Sequence, residues 1–285
     1  MGIYSDVLLT VDFDRTLTAP DSTIPARNIE AIRYFMENGG VFTVNTGRSL
    51  PMTQHNILGK CPVNAPLLLY TGSAAYNTET GELELCKPID LDPTALVEDL
   101  QSRFPGLTVE IQGRDAHYIF RKDAGWEDYC ENNHCAWDYL PPAEIPGPFL
   151  KVALYGEFRE NTVASMFDGT EEEMELFRQA EAYIEKTYGH AVDSFRACAR
   201  ILDLQAKGCS KISCARTLQA TLGRKILVCV GDAPNDIPML DGADFAFCPG
   251  DAELGDRYEK VCDCALGAVA DVIYEKIPEI LKKQS

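Results

Sequence analysis

Residues 7–13 form a short, largely apolar run, VLLTVDF, in which β-branched side chains are frequent and a polar turn follows at once. A run of this kind is typical of a strand that is buried inside a parallel sheet. A helical pattern begins after Pro25, and a glycine pair ends it before a second strand, VFTVNTGR. This order predicts a parallel sheet with crossover helices at the start of the chain.

The alternation of helical and strand patterns continues after the second strand and appears again near the end of the chain. A helical stretch after Arg48 leads to the apolar segment PLLLY, which we expect to be a strand. Far downstream, SKISCARTLQATLG has a helical pattern, KILVCVGD is another apolar strand, and ADFAFC is a third strand candidate. We therefore expect the two ends of the chain to build one α/β layer.

The middle of the chain has a different pattern. Its strand candidates, LTVEIQ, AHYIFRK, FLKVALYG and ACARILDLQ, alternate between polar and apolar residues, and helical patterns lie near 93–104 and 171–188. Alternation is typical of an antiparallel sheet with one exposed face. We therefore predict a core domain made of residues 1–84 and 206–285, with an inserted α+β domain at 85–205.

Composition and net charge limit the partners and the cellular location that we expect for this chain. The chain has 285 residues and a formal net charge of −18, without a basic run. This charge repels phosphodiester backbones and anionic membranes, so neither nucleic acid nor a membrane is an expected partner. The start has no basic segment followed by an apolar one, and no stretch of about 18 apolar residues occurs, so we expect a cytoplasmic protein. The oligomeric state cannot be predicted from these patterns.

The eleven cysteines indicate reduced, largely buried thiols rather than disulfides. Cys262 and Cys264 are too closely spaced for a zinc knuckle. Cys130 and Cys135, with His134 between them, lack a matching second pair. The sequence therefore does not predict a structural zinc site.

Asp12 and Asp14 lie where the first strand ends. In open α/β sheets, the ligand crevice is at the carboxyl ends of the strands. Two neighbouring carboxylates repel each other unless a cation neutralises them, and Mg²⁺ prefers such hard oxygen ligands. The sequence thus predicts a magnesium site at this edge of the sheet.

The segment DFDRTLT, which begins at Asp12, resembles the first signature motif of the haloacid dehalogenase superfamily. The resemblance implies a Rossmann-like, doubly wound core and a covalent aspartyl-phosphate mechanism. Asp12 would be the nucleophile, and Asp14 would protonate the leaving oxygen and then activate water. The family usually has glycine after the second aspartate, where this chain has Arg15.

The second and third motifs of the family have counterparts further along the chain. Thr46 matches the second motif and would bind the phosphoryl group, with Gly47 allowing close backbone approach and Arg48 able to reach an anionic substrate. The third motif is a lysine that neutralises phosphate and nucleophile. Lys207 and Lys211 are both candidates, and we favour Lys211 because it directly precedes a predicted helix.

The segment GDAPNDIPML resembles the fourth motif. The resemblance implies that Asp232 binds Mg²⁺ together with Asp12 and the backbone carbonyl of Asp14. Asn235 and Asp236 would complete the coordination or orient its waters, and Asn235 could also contact substrate. An Asx-rich turn that caps the next helix is the alternative for this segment taken alone.

The order of the four motifs is similar to that in Cof-like phosphatases, whose inserted domain is a C2-type cap that selects the substrate. The resemblance implies a magnesium-dependent phosphatase acting on a small phosphorylated metabolite, such as a sugar phosphate. Two alternatives remain. The chain could be a phosphosugar mutase of the phosphomannomutase type, or a catalytically silent binding protein with the same fold.

Polar residues cluster near the predicted hairpin of the inserted domain. These residues are Arg114, His117, Arg121 and Lys122. They could bind the distal groups of a substrate, but we interpret them as solvated strand and turn residues.

Overall fold

The structure, a computed structural model, describes residues 2–157 and 169–284. It contains two compact units, each with its own apolar core. The first unit comprises the chain up to Gly47, Ile57–Leu85 and the chain from Ser210 onward. The second unit comprises Arg48–Asn56 and Cys86–Cys209.

The strands and helices alternate along much of the chain. The strands are β1 (Val7–Val11), β2 (Val41–Val44), β3 (Leu67–Leu69), β4 (Ala74–Tyr76), β5 (Leu83–Cys86), β6 (Thr108–Gln112), β7 (His117–Ile119), β8 (Trp137–Tyr139), β9 (Lys151–Tyr155), β10 (Val192–Cys198), β11 (Ile201–Ala206), β12 (Ile226–Val230), β13 (Phe245–Cys248) and β14 (Glu259–Lys260). The helices are α1 (Ala26–Glu37), α2 (Leu50–Asn56), α3 (Pro93–Arg103), α4 (Ala124–Asn132), α5 (Glu171–Tyr188), α6 (Lys211–Thr221), α7 (Ile237–Asp241), α8 (Ala268–Asp271) and α9 (Ile277–Gln284).

The first unit is built on a five-stranded sheet of order β14-β13-β12-β1-β2. All neighbouring strands in it are parallel. Every residue of β1, β2 and β12 is buried, as their apolar sequences predict. α6 packs against β12, and α1 packs against β2. The predicted doubly wound α/β core is confirmed, and it places the carboxyl ends of β12, β1 and β2 side by side.

The segment PLLLY differs from its prediction. It forms β3, but β3 belongs to a separate small sheet of order β3-β4-β5 and pairs with β4 in antiparallel fashion. A single bridge between Asn45 and Leu68 joins it to the segment after β2. The chain reverses directly after β3 because Tyr70, Thr71 and Gly72 all have positive φ angles, which turns β4 back along β3.

The second unit contains a six-stranded sheet of order β10-β11-β9-β6-β7-β8. Its neighbouring strands are antiparallel except β7 and β8, which are parallel. One face of the sheet packs on α3 and α5 through an apolar cluster that includes Leu100, Ile111, Leu154 and Phe177. The antiparallel α+β character predicted for this part of the chain is thus present.

The prediction of an exposed polar face is wrong for the central strands β6 and β9 of this sheet. Every residue of β6 and β9 is buried, including the polar members of the alternation. These groups are paired within the unit, since Lys151 Nζ lies 3.0 Å from Asp203 and His117 lies 2.6 Å from Glu110. Alternation identified the two faces of the strands, but polarity did not indicate exposure because buried polar groups can pair with each other.

Two segments of the second unit also differ from their predictions. ACARILDLQ, predicted as one strand, contains the turn between β10 and β11, where Cys198 faces Ile201. No glycine, proline or asparagine marks this turn, so alternation continues through it. The unit also runs to Cys209 and includes Arg48–Asn56, because Met52 packs beside Trp126 and Cys135 in its core.

No helix within residues 2–157 and 169–284 has the length and apolar character required to span a lipid bilayer.

Candidate active site

Asp12 directly follows β1 and is almost completely buried. Its backbone N–H donates to the carbonyl of Val230 on β12 at 2.9 Å, and its own carbonyl accepts from Leu17 N at 3.2 Å. These bonds hold the carboxylate of Asp12 at the carboxyl end of the sheet. Asp14, two residues later, is half-buried, and Arg15 takes the left-handed conformation with φ 57° where the family usually has glycine.

Lys211 connects Asp12 with a second carboxylate. Its buried ammonium lies 2.5 Å from Asp12 Oδ1 and 2.7 Å from Asp236 Oδ1. Burial alone would lower the pKa of Lys211, but the two carboxylates outweigh it and raise that pKa above its ordinary value. Burial raises the pKa of Asp12 well above its usual range, with Lys211 opposing and the neighbouring carboxylates adding to the shift. Lys211 therefore stays charged and favours the ionised form of Asp12.

Asp232 supplies a third buried carboxylate, one residue after Gly231 at the end of β12. Thr16 Oγ1 donates to its Oδ1 at 2.7 Å. Burial and the charge of Asp236 raise the pKa of Asp232 to about 7, against the hydrogen bond from Thr16 and the charge of Lys211. Without a bound cation, the cluster thus holds more carboxylates than one ammonium neutralises.

Asp236 fixes the loop that carries Asp232. Its Oδ2 accepts from the backbone N–H groups of Asp232 at 3.1 Å and of Ala233 at 3.2 Å, while its Oδ1 faces Lys211. A side chain at Gly231 would place Cβ 2.6 Å from Asp236 Cβ. The close approach of these two residues requires glycine at that position.

Thr46 follows β2 and is buried. Its backbone N–H donates to Leu68 O at 2.9 Å, and its carbonyl accepts from Thr71 N at 3.1 Å. Gly72 lies in the turn after β3, beside Thr71. A Cβ on Gly72 would lie 2.2 Å from the backbone carbonyl oxygen of Ser210, the residue before Lys211. The tight turn after β3 therefore supports both Thr46 and the start of α6.

The site thus joins the ends of three adjacent strands with the first residue of α6. A family model for haloacid dehalogenase-like hydrolases matches residues 9–266. The chain belongs to this family.

Solved structures of haloacid dehalogenase-like hydrolases have the same fold. One from Bacteroides thetaiotaomicron is 20% identical, with a TM-score of 0.76 over 96% of this chain and 99% of that chain. One from B. subtilis is 17% identical, with a TM-score of 0.75 over 94% and 99%. A putative HAD/COF-like hydrolase from Plasmodium vivax is 19% identical, with a TM-score of 0.74 over 97% of both chains. No curated protein matches the sequence. The assignment to the Cof-like part of the haloacid dehalogenase superfamily is confirmed.

Hydrolases of the haloacid dehalogenase family typically use a divalent metal ion and act on small molecules. The donor set in this chain fits such an ion. Carboxylate oxygens of Asp12, Asp232 and Asp236 all lie within 4.8 Å of one another, and hard oxygen donors suit divalent cations of this kind. Asn235 follows Asp232 closely in the sequence. Its side-chain oxygen Oδ1 is buried and has no hydrogen-bond partner among the described residues.

The remaining residues predicted for the site of this haloacid dehalogenase-like chain do not all lie in the same unit. Gly47 lies beside the loop after β3, since its Cβ would be 3.3 Å from Thr71 Oγ1. Arg48 belongs to the second unit, whereas Thr46 belongs to the first. Lys207, the alternative to Lys211, is exposed and binds Asp193 at 2.6 Å within the second unit. Of the two lysines, Lys211 is the one that contacts Asp12.

Sequence reasoning missed two residues that position the site. Thr16 lies inside the first motif, but its letter gives no sign that the hydroxyl donates to Asp232, which is 216 residues away. Asn45 Nδ2 donates to the backbone carbonyl of Lys211 at 2.9 Å. A signal for Asn45 was available, because a polar amide at the end of a buried strand needs a hydrogen-bond partner.

Proposed function

We propose that this chain is a magnesium-dependent phosphohydrolase that dephosphorylates a small phosphorylated metabolite through an aspartyl-phosphate intermediate. The observation that carries the proposal is the position of Lys211, whose ammonium lies between Asp12 and Asp236. Carboxylate oxygens of these two residues and of Asp232 lie within 4.8 Å of one another. A buried nucleophile, a fixed cation and a cation-binding carboxylate at one sheet edge suit phosphoryl transfer.

The proposed reaction has two steps. The Asp12 carboxylate attacks phosphorus in line, and Asp14 donates a proton to the leaving oxygen. Asp14 then takes a proton from water, which attacks the aspartyl-phosphate, releases phosphate and restores Asp12. Thr46 and Lys211 bind the phosphoryl oxygens, and Lys211 offsets the negative charge that gathers on Asp12 and the phosphoryl group.

Asp12, the carbonyl of Asp14 and Asp232 are the proposed ligands of Mg²⁺. When bound, the ion offsets the charge of the phosphoryl group and of the carboxylates around it. Asp236 holds the loop of Asp232 because its Oδ2 accepts from the backbone N–H groups of Asp232 and Ala233, so its role is to orient the ligand. Asn235 would bind a water of the ion or an oxygen of the substrate.

The proposed substrate class, a sugar phosphate or a similar small metabolite, rests on the Cof-like membership of the chain. We assign its selection to the second unit, as the inserted cap of the family implies.

Phosphate release from a panel of phosphorylated metabolites tests the proposal. We expect turnover with Mg²⁺ and none after chelation. Asp12→Asn should abolish turnover, whereas Asp6→Asn, at the opposite end of β1, should leave it unchanged. Full turnover by the Asp12→Asn variant would show that the nucleophile is wrongly assigned. Conversion of a hexose 1-phosphate into its isomer, with little free phosphate, would identify a mutase instead.

A further inference from the structure

The second unit contains a separate cluster of potential metal ligands. It consists of His117, Cys130 and Cys135, and one ligand atom from each lies within 4.8 Å of the others. All three side chains are buried, with exposed fractions of 0%, 0% and 6%. The proposed phosphohydrolase chemistry uses none of them.

The two thiols meet because the chain turns back at the end of α4. Cys130 lies in the last turn of this helix, and Cys135 N donates to Cys130 O at 2.8 Å. His134 makes the turn with φ 52°, and its ring packs on that of His55 with centroids 3.8 Å apart. The histidine of the cluster is therefore His117, from β7, and not the His134 that lies between the cysteines in sequence.

We propose that His117, Cys130 and Cys135 bind a thiophilic divalent cation, Zn²⁺. Two thiolates and an imidazole are a common donor set for this ion. Zinc–sulfur bonds of about 2.3 Å and zinc–nitrogen bonds of about 2.0 Å place tetrahedral ligand atoms roughly 3.3 to 3.8 Å apart, which the observed spacing can accommodate. The spacing of the two cysteines does not indicate this site, because the third ligand, His117, comes from β7 and not from the segment that contains them.

Glu110 orients the imidazole for this role. Its Oε1 lies 2.6 Å from His117 Nδ1, which leaves Nε2 as the metal-binding nitrogen. A carboxylate on the second ring nitrogen is the usual partner of a zinc-bound histidine. Glu110 itself is fixed, since Trp126, Gln112 and Tyr155 all donate to its carboxylate.

Ser49 marks the fourth position of the tetrahedron. Its hydroxyl oxygen lies 2.7 Å from His117 Nε2, and metal binding replaces this hydrogen bond. The hydroxyl, or a water that it holds, then closes the coordination. The ion would thereby connect β7, α4 and the segment before α2, which belong to one unit, and would bind as this unit folds.

Metal content and cobalt substitution test the proposal on the full chain. Protein purified in reducing buffer without chelator should contain about one zinc per chain by elemental analysis. After exchange with Co²⁺, the absorption spectrum should show a thiolate-to-cobalt charge-transfer band and the intense visible bands of tetrahedral cobalt. Reduced wild-type protein that binds neither ion, or that contains a Cys130–Cys135 disulfide as isolated, would overturn the proposal.

Single variants locate the ligands. Cys130→Ser and Cys135→Ser should each lose the zinc and the charge-transfer band, whereas Cys209→Ser, a buried cysteine of the same unit, should keep both. Retention of zinc by both ligand variants would refute the assignment. If these variants do not fold, the cobalt spectrum of the wild type still decides.

Glu110→Gln tests the positioning role of the carboxylate. It should weaken zinc binding by about 10- to 100-fold, as other outer partners of zinc ligands do, while the thiolate-to-cobalt band remains. Unchanged affinity would show that Glu110 does not orient the ligand. Zinc content can be measured without any substrate, so this proposal can fail while the phosphohydrolase stands.

Discussion

At the scale of single residues, Lys211 places one positive charge between two buried carboxylates. Lys211→Met leaves Asp12 and Asp236 facing each other without a cation. We expect the free energy of unfolding in the absence of metal to fall by about 3–5 kcal/mol, the usual cost of removing one partner of a buried ion pair. Urea unfolding at neutral pH measures the loss. It should shrink on acidification, because protonation of the carboxylates removes their repulsion.

Lys225→Met is the matched control for Lys211→Met. Lys225 also pairs with an aspartate, Asp6, at 3.0 Å, but the two side chains are 75% and 47% exposed. Solvent screens such a pair, so the variant should lose less than about 1 kcal/mol. Equal losses for the two lysines would mean that the buried pair contributes no more than a surface pair.

A residue of the candidate site could be predicted from the sequence where a suitable charged side chain stands at the end of a predicted strand or at the start of a predicted helix. Asp12 and Asp232 follow apolar strands, and Lys211 precedes a helix, so each has a local signal. The hydrogen bonds that fix them join residues far apart in sequence, as with Thr16 and Asp232 or Asn45 and Lys211. One sequence contains no local trace of such pairs, because their geometry arises only when the sheet has formed.

At the scale of elements, α6 links stability with the site. Ser210 caps this helix: its Oγ accepts from Ser213 N at 3.2 Å, and Ser213 Oγ accepts from Ser210 N at 2.9 Å. Ser210→Ala should cost about 1 kcal/mol. Because Lys211 is the first residue of α6, fraying should also lower kcat. Chemical unfolding and steady-state kinetics measure the two effects.

Thr170→Ala provides the control at this scale. Thr170 forms the same kind of capping box at the start of α5, in the second unit. It should cost a similar free energy of unfolding but leave kcat unchanged. A fall in kcat for both variants would indicate that general destabilisation, and not the position of Lys211, controls turnover.

Helices and strands could be predicted from the sequence where a single hydrophobic periodicity extends over the whole helix or strand. α3 and α5 lie close to the predicted helices at 93–104 and 171–188. The short parallel strand β8 and the helix α4 were missed, because β8 has three residues and α4 has nine, one of them a glycine. Strand pairing depends on contacts that local periodicity does not include.

At the scale of the whole molecule, the two units should respond to Mg²⁺ differently. Both tryptophans, Trp126 and Trp137, belong to the second unit, so their fluorescence follows its unfolding. Circular dichroism follows both units. With Mg²⁺ at 100 times its Kd, the first unit should gain about 2.7 kcal/mol. We expect the dichroism transition of the first unit to shift upward in temperature while the fluorescence transition stays in place.

Asp232→Asn should abolish this shift, because it removes a proposed ligand of the ion. Asp193→Asn, an aspartate of the second unit that pairs with Lys207, should keep it. A fluorescence transition that moves with Mg²⁺ by the same amount as the dichroism would contradict independent unfolding of the two units.

Hydrophobic patterning changes twice along the chain, which predicts a core and an inserted domain, and the structure has two compact units. The place of α2 could not be predicted. It follows β2 directly, as a crossover helix of the core would, yet Met52 packs into the core of the second unit. Apolar residues of a short helix show that it is buried, but not which of two cores buries them.

The pairing of β1 with β12 also affects how the protein is made. Val7 lies opposite Ile226, so the strand that precedes Asp12 leaves the ribosome long before its neighbour is synthesised. The sheet of the second unit, which ends with β11, can form earlier. A nascent chain therefore exposes one edge of β1 through most of its synthesis, and in a chain arrested before β12 the candidate active site is not assembled.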